Sequence, residues 1–383
     1  MNTAPIVIIG SGLAGYTLAR ELRKLDAETP LVIVSSDHGG FYSKPMLSNA
    51  LGQKKSADAL LLKSPQQMAG ELKAQVRAHA KVDGIDTQRK HILLDGAPLA
   101  YSKLVLALGA DPIRLPIQGN AAGEVLSVND LDDYKRFRNA IEGKQNIAIL
   151  GAGLIGCEFA NDLITAGHKV HVIDLAPQPL GRLLPPQAGA YMQRKLKAVG
   201  INFSLETSVL LVERTDGKLR LSLANGATLE VDTVLSAVGL KPRIALAQSA
   251  GIKVNRGIVV DELLQTSASD VYALGDCAEV MGKVLPFVMP IMQGARALAP
   301  TLTGKHTAVN YPVMPVAVKT PACPAVVAPP EPGAQGEWQV EETAEGVKTI
   351  FLDGGGKLLG YALLGAATSE KNALTQQMPV SLL

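Results

Sequence analysis

The chain has only three cysteines in 383 residues, Cys157, Cys277 and Cys323. They lie too far apart for a CxxC pair or a zinc knuckle, and an odd count builds no disulfide framework. Free thiols of the cytosolic kind are expected. The six histidines show no HExxH or comparable ligand spacing, so no metal site is expected either. An excess of one charge sign is also missing. Lys and Arg number 37 against 35 Asp and Glu, and a net charge of +2 argues against nucleic-acid binding. Any basic docking patch must be local.

Long apolar runs are absent too. Leu104 to Leu108 stops at Gly109, far short of the roughly 18 residues that a membrane-spanning helix requires. Met1 to Gly15 lacks the cationic stretch and apolar core of a signal peptide. No membrane insertion and a cytoplasmic location are the expectations. With 47% hydrophobic and 19% charged residues, the composition suits two or three packed domains.

What is present is one design used twice. PIVIIGSGLAGYTLARELRKL precedes PLVIVSSD, and NIAILGAGLIGCEFANDLITAG precedes KVHVID. Each opens with a β-branched run, turns through glycines, continues with helical apolar spacing (Leu18, Leu22, Leu25; Phe159, Leu163) and ends in a second Val/Ile run. That is strand, helix and parallel strand, twice. Both turns fit the dinucleotide pattern. In Gly10-Ser11-Gly12-Leu13-Ala14-Gly15 and again through Gly151, Gly153 and Gly156, the glycines allow a tight turn, close approach to a pyrophosphate and close helix–strand packing. Asp174 ends the second strand, where a carboxylate can accept from the ribose 2′-OH of NADH. Arg182 is near enough in sequence to keep NADPH open.

Pro112, Pro116, Gly119 and Gly123 mark a crossing between the two units. Composition shifts again after Gly304, where seven prolines fall between Pro312 and Pro332. The tail reads as a hairpin turning at Gly354-Gly355-Gly356, then a helix capped near Ser369. The fold expected is α/β, with two Rossmann-like dinucleotide-binding domains and a small C-terminal α/β domain. The expected boundaries are 1–110 with 237–307, then 111–236, then 308–383.

Three further segments, LVLALG ending at Gly109, VLSAVGLKP containing Gly239, and TSASDVYALGD ending at Asp276, resemble the glutathione-reductase-like flavoprotein superfamily. The resemblance implies FAD in the first unit, with Asp276 on the ribityl chain, and NADH as co-substrate in the second, with Gly239 beside it. Disulfide reductases of the superfamily carry a CxxxxC or CxxC pair beside the flavin, and related NADH oxidases use one cysteine. Here that stretch reads Tyr42-Ser43-Lys44-Pro45-Met46-Leu47-Ser48, without cysteine. YSKPMLS, GLIGCEFANDL, YALGDCAEV and PVAVKTPACP are similar to the rubredoxin reductases of alkane-degrading bacteria. That family passes electrons from NADH through FAD to rubredoxin, a small acidic iron protein, in support of alkane hydroxylation.

The same resemblance implies the surroundings of the flavin: Lys44 and Lys319 offsetting charge on reduced flavin, Glu158 near the edge where nicotinamide stacks, Val288 in the pocket, and the backbone of Val82 at the adenine. The helix around Pro290 would aim its N-terminus at the flavin. Lys44 and Lys319 as solvated surface lysines, and Glu158 as a dipole complement, remain alternatives. One position departs from the relatives. Where many have Glu for the FAD ribose, this chain reads Val34-Ser35-Ser36-Asp37, so serine hydroxyls or backbone would make that contact. Reductases of ferredoxin or flavorubredoxin, an NADH oxidase, and a redox-sensitive binding protein are the competing functions.

Overall fold

The computed structural model describes residues 4–379. Strand Ile6–Ile9 is apolar and buried at every position, as a parallel strand covered on both faces must be. It lies in the middle of a five-stranded parallel sheet. The order is Val271–Ala273, Lys103–Leu106, Ile6–Ile9, Leu31–Val34, Gln75–Arg77. One edge strand therefore comes from far along the chain. Helix Leu13–Leu25 buries Leu18 and Leu22 and packs against helix Val288–Leu302.

The second unit repeats this plan around Asn146–Leu150. Its parallel order is Leu126–Ser127, Thr233–Ser236, Asn146–Leu150, Lys169–Ile173, Asn202–Ser204. Each unit carries a three-stranded antiparallel meander, Val82–Asp86 to Ala97–Ala100 in the first and Val209–Thr215 to Thr228–Val231 in the second. The chain enters and leaves the second unit through one ribbon, in which Ala110–Pro112 pairs antiparallel with Leu240–Pro242.

The C-terminal unit is a five-stranded antiparallel sheet ordered Val316–Val318, Ala325–Ala328, Leu358–Gly365, Gly346–Leu352, Glu337–Glu342. Its hairpin turns at the three glycines, with the Asp353 N–H on the Lys357 carbonyl at 3.0 Å and Gly356 at φ +80°. The expected cap near Ser369 is corrected. Ala366–Glu370 forms a 3₁₀ turn in which Ser369 Oγ donates back to the Ala366 carbonyl at 2.9 Å, and the helix begins at Lys371. A hydroxyl spent on its own backbone cannot cap the next turn. One apolar core unites Leu47 of the first unit, Phe159 and Met192 of the second, and Val327 and Val347 of the third.

Candidate functional site at the junction of three units

The glycine motifs sit where each central parallel strand meets its helix. A Cβ on Gly10, at φ +120°, would lie 2.1 Å from the Ala107 carbonyl oxygen, and one on Gly15 would lie 1.9 Å from the Gly10 oxygen. These two positions exclude a side chain by close packing. Gly12 differs, since among the described residues nothing lies within 4 Å of its absent Cβ and no side chain caps the helix that starts at Leu13 and Ala14. The second motif repeats the pattern: a Cβ on Gly156 would lie 1.9 Å from the Gly151 oxygen, one on Gly153 would meet nothing within 4 Å among the described residues, and that helix also lacks a side-chain cap. Two uncapped helix N-termini fronted by glycine leave free N–H groups and positive dipole ends, a fit for two pyrophosphates.

Asp174 follows its strand, as expected, and its carboxylate already organises the motif. Oδ1 accepts from the Ala176 N–H at 2.6 Å and Oδ2 from the Ala152 N–H. Each oxygen keeps a lone pair for a ribose hydroxyl. The ends of the first strand are set differently: Val34 accepts from the Gly10 N–H at 2.8 Å, and Ser35 is buried beside Ser11. Val82 opens the meander just past Ala80, whose N–H donates to the Ser35 carbonyl at 2.9 Å.

Gly275 packs onto the first cradle, its missing Cβ 2.9 Å from that of Ala14, and so delivers Asp276 to the cradle mouth. Burial raises the Asp276 pKa, opposed by the charge of Lys44. Burial likewise lowers the Lys44 pKa, opposed by Asp276. The Lys44 ammonium donates to Asn129 Oδ1 at 2.7 Å, and Asn129 in turn donates to the Ala110 carbonyl at 2.9 Å. Val288 is the first residue of its helix and 40% exposed, and Pro290 lies in the first turn. Gly109 (φ +72°) and Gly239 (φ +120°) stand on the two arms of the crossing ribbon, where the Arg243 N–H reaches the Gly109 carbonyl and the Ile113 N–H reaches that of Gly239.

Glu158 is 1% exposed on the second glycine-motif helix. Its carboxylate accepts from Ser48 Oγ at 2.5 Å and from the Lys319 backbone N–H at 2.9 Å, and pairs with Lys319 Nζ at 3.1 Å. Lys319 Nζ also donates to the Pro45 carbonyl and to Ser48 Oγ. One turn on, Asp162 accepts the N–H groups of Leu51 and Gly52 at 3.0 and 2.8 Å, while Asn161 Oδ1 accepts that of Ala322. A buried carboxylate is tolerated only with such partners. Glu158 and Lys319 thus meet each other, whereas Lys44, in the same loop as Ser48, turns to Asn129. Ser48, Asn129 and Asp162 were not foreseen. The i, i+4 pair of acids on one helix was the available signal.

The three cysteines are buried and free. Burial pushes Cys157 up to about 12, and Cys277 and Cys323 up to about 11, far from thiolate reactivity. Among the described residues, no helix is long and apolar enough to cross a membrane.

Residues 4–299 match the pyridine nucleotide-disulphide oxidoreductase family, and residues 308–378 match the rubredoxin binding C-terminal domain. The rubredoxin-NAD(+) reductase of Alcanivorax borkumensis is 51% identical over 376 residues, spanning 98% of each chain. That of Acinetobacter baylyi is 48% identical over 384 residues, again spanning 98% of each. The covalent putidaredoxin reductase-putidaredoxin complex is similar in structure, with a TM-score of 0.89 at 26% identity over 99% of this chain and 94% of that one. The two cradles and the unit appended to them have their explanation in this kinship: the chain belongs to the pyridine nucleotide-disulphide oxidoreductase family and carries a rubredoxin binding C-terminal domain.

Proposed function

We propose that this protein is an NADH:rubredoxin oxidoreductase with FAD in the first cradle and NADH in the second. The observation that carries the reading is the Glu158 cluster. It ties the nicotinamide-side helix, the Lys44–Ser48 loop and the partner-binding unit at one point. The division proposed is 1–110 with 237–307 for FAD, 111–236 for NADH and 308–383 for the partner. Bound FAD supplies the redox chemistry, taking two electrons as hydride and giving them up singly to an iron carrier.

The chain's own residues bind and orient. Free N–H groups at Leu13 and Ala14 hold one pyrophosphate, and those at Leu154 and Ile155 hold the other. Asp276 and Lys44 place opposite, half-buried charges within electrostatic influence of each other at the cradle mouth. Glu158 fixes Lys319, so a cation stands where charge is delivered. The sequence between 308 and 378 holds four lysines against seven carboxylates, so attraction for an acidic partner has to come from cations on the dinucleotide-binding units. Three buried thiols support a cytoplasmic location. The likeness of YSKPMLS to reductases of alkane-degrading bacteria supports a role in supplying an alkane hydroxylase.

Stopped-flow mixing with NADH and then oxidised rubredoxin tests the proposal. Rapid bleaching of the flavin followed by bleaching of rubredoxin is expected. Bleached flavin with rubredoxin left oxidised would transfer the assignment to ferredoxin, flavorubredoxin or oxygen. Asp174→Ala separates the two cradles. It is expected to weaken NADH binding about tenfold, the value of one hydrogen bond to a charged acceptor, while FAD stays bound. Loss of FAD in titrations of that variant would mean that the two dinucleotides are exchanged.

A further inference from the structure

We infer that Asp37 is the carboxylate serving the adenosine ribose of the first dinucleotide, acting together with Ser35; this rests on the assignment of FAD to the first cradle. The internal repeat provides the comparison. In the second unit the Gly151 N–H donates to the Ile173 carbonyl at 2.7 Å, and the next residue, Asp174, presents its carboxylate to the glycine motif at Ala152. In the first unit the Gly10 N–H donates to the Val34 carbonyl at 2.8 Å, and the next residue is Ser35. Ser11 stands where Ala152 stands, and its hydroxyl meets Ser35 Oγ at 2.6 Å. Two serines therefore occupy the place of an acid.

Asp37 restores that acid from two residues further on. Its Oδ1 accepts from Ser35 Oγ at 2.5 Å and from the Gly39 N–H at 2.8 Å, with Ser11 Oγ standing 3.4 Å away. The proton directions follow. The single proton of Ser35 goes to Asp37, so the 2.6 Å contact uses the proton of Ser11, and Ser35 Oγ keeps an acceptor lone pair. Among the described residues, the bonds that the carboxylate accepts fall on Oδ1, which leaves Oδ2 for another donor. The pair of acceptors, Ser35 Oγ and Asp37 Oδ2, suits the vicinal hydroxyls of an unphosphorylated ribose and repels a 2′-phosphate.

The position of Asp37 is also secured. Its carbonyl accepts the His79 N–H at 2.8 Å, and the Ser35 carbonyl accepts that of Ala80, so the relay is stitched to the segment leading to Val82. Ser11 and Ser35 are 6% and 3% exposed, whereas Asp37 is half-buried. The relay is dry at its serine end and open at its acid end.

The test follows flavin fluorescence as the full-length holoenzyme is diluted and FAD leaves. Asp37→Ala is expected to release FAD about tenfold faster, the cost of a hydrogen bond to a charged group, with Asp37→Asn intermediate. The double variant Ser35→Asp/Asp37→Ala puts the acid where Asp174 stands in the other half and is expected to restore slow release. Release from Asp37→Ala at the unaltered rate overturns the inference, as does fast release that the double variant fails to rescue. Unaltered protein that purifies without FAD overturns instead the assignment of the first cradle, and the inference with it.

Discussion

Glu158→Ala is expected to cost about 3 kcal/mol, because it strands the partners of a buried carboxylate. Ser48 Oγ and the Lys319 N–H lose their acceptor, and the Lys319 ammonium loses its counter-charge while keeping the Pro45 carbonyl. Lys319 is one-third exposed and recovers some hydration by swinging outward, which keeps the loss at the lower end of that range. Glu158→Gln should cost less and be informative in another way. One amide oxygen can still accept the Lys319 N–H, but the amide NH₂ then faces two donors. The chain has one tryptophan, Trp338, in the C-terminal sheet against Phe351 at 5.3 Å, so its fluorescence reports on that unit alone. In a urea titration the Trp338 transition of Glu158→Ala should move to lower urea than the flavin transition. Coincident, unshifted transitions would show that the cluster does not hold the partner-binding unit in place.

The second large effect is a contrast between neighbouring glycines. Gly156→Ala places a Cβ 1.9 Å from the Gly151 carbonyl oxygen, and backbone cannot yield that much without pulling helix from strand. A loss of about 3 kcal/mol or more, or failure to fold the second unit, is expected. Gly153→Ala meets nothing within 4 Å, and the glycine has an ordinary φ of −73°. It should fold with unaltered thermal stability and yet bind NADH at least about tenfold more weakly, since the methyl enters the space a pyrophosphate needs. Calorimetric titration with NADH beside a thermal melt separates the two. A Gly153→Ala protein that binds NADH normally would remove the second cradle from the proposed site.

The two glycine motifs were legible because their requirements are local. A strand, a turn and a helix within some twenty residues determine which glycines must be bare. Asp174 was legible for the same reason, as the end of the adjoining strand. The discontinuous first sheet was foreseen through the likeness of TSASDVYALGD to a family, since nothing in Val271–Ala273 by itself names Lys103–Leu106 as its neighbour. The partners of Glu158 were beyond local reading. Ser48 lies 110 residues before it and Lys319 161 after, and no short pattern links them. Asn129 stands 85 residues from the Lys44 it receives. Asp37 stands just past a strand end, and its side chain reaches back across Ser35 toward a glycine motif more than twenty residues earlier, a link that no short pattern displays. Ser369 shows the opposite failure, a local cap signal defeated by a still more local hydrogen bond.

The helix Leu154–Thr165 bears on any attempt to re-engineer the electron acceptor. Glu158 and Asn161 project from the second glycine-motif helix but receive Lys319 and the Ala322 N–H from the partner-binding unit. A cassette spanning 308–378 transplanted from a reductase with a different carrier must therefore bring a cation at 319 and a chain path that presents both N–H groups. A graft lacking them would bury an unmatched carboxylate beneath the new module. The C-terminal unit and the second glycine-motif helix share one joint in this molecule, and they have to be exchanged as a pair.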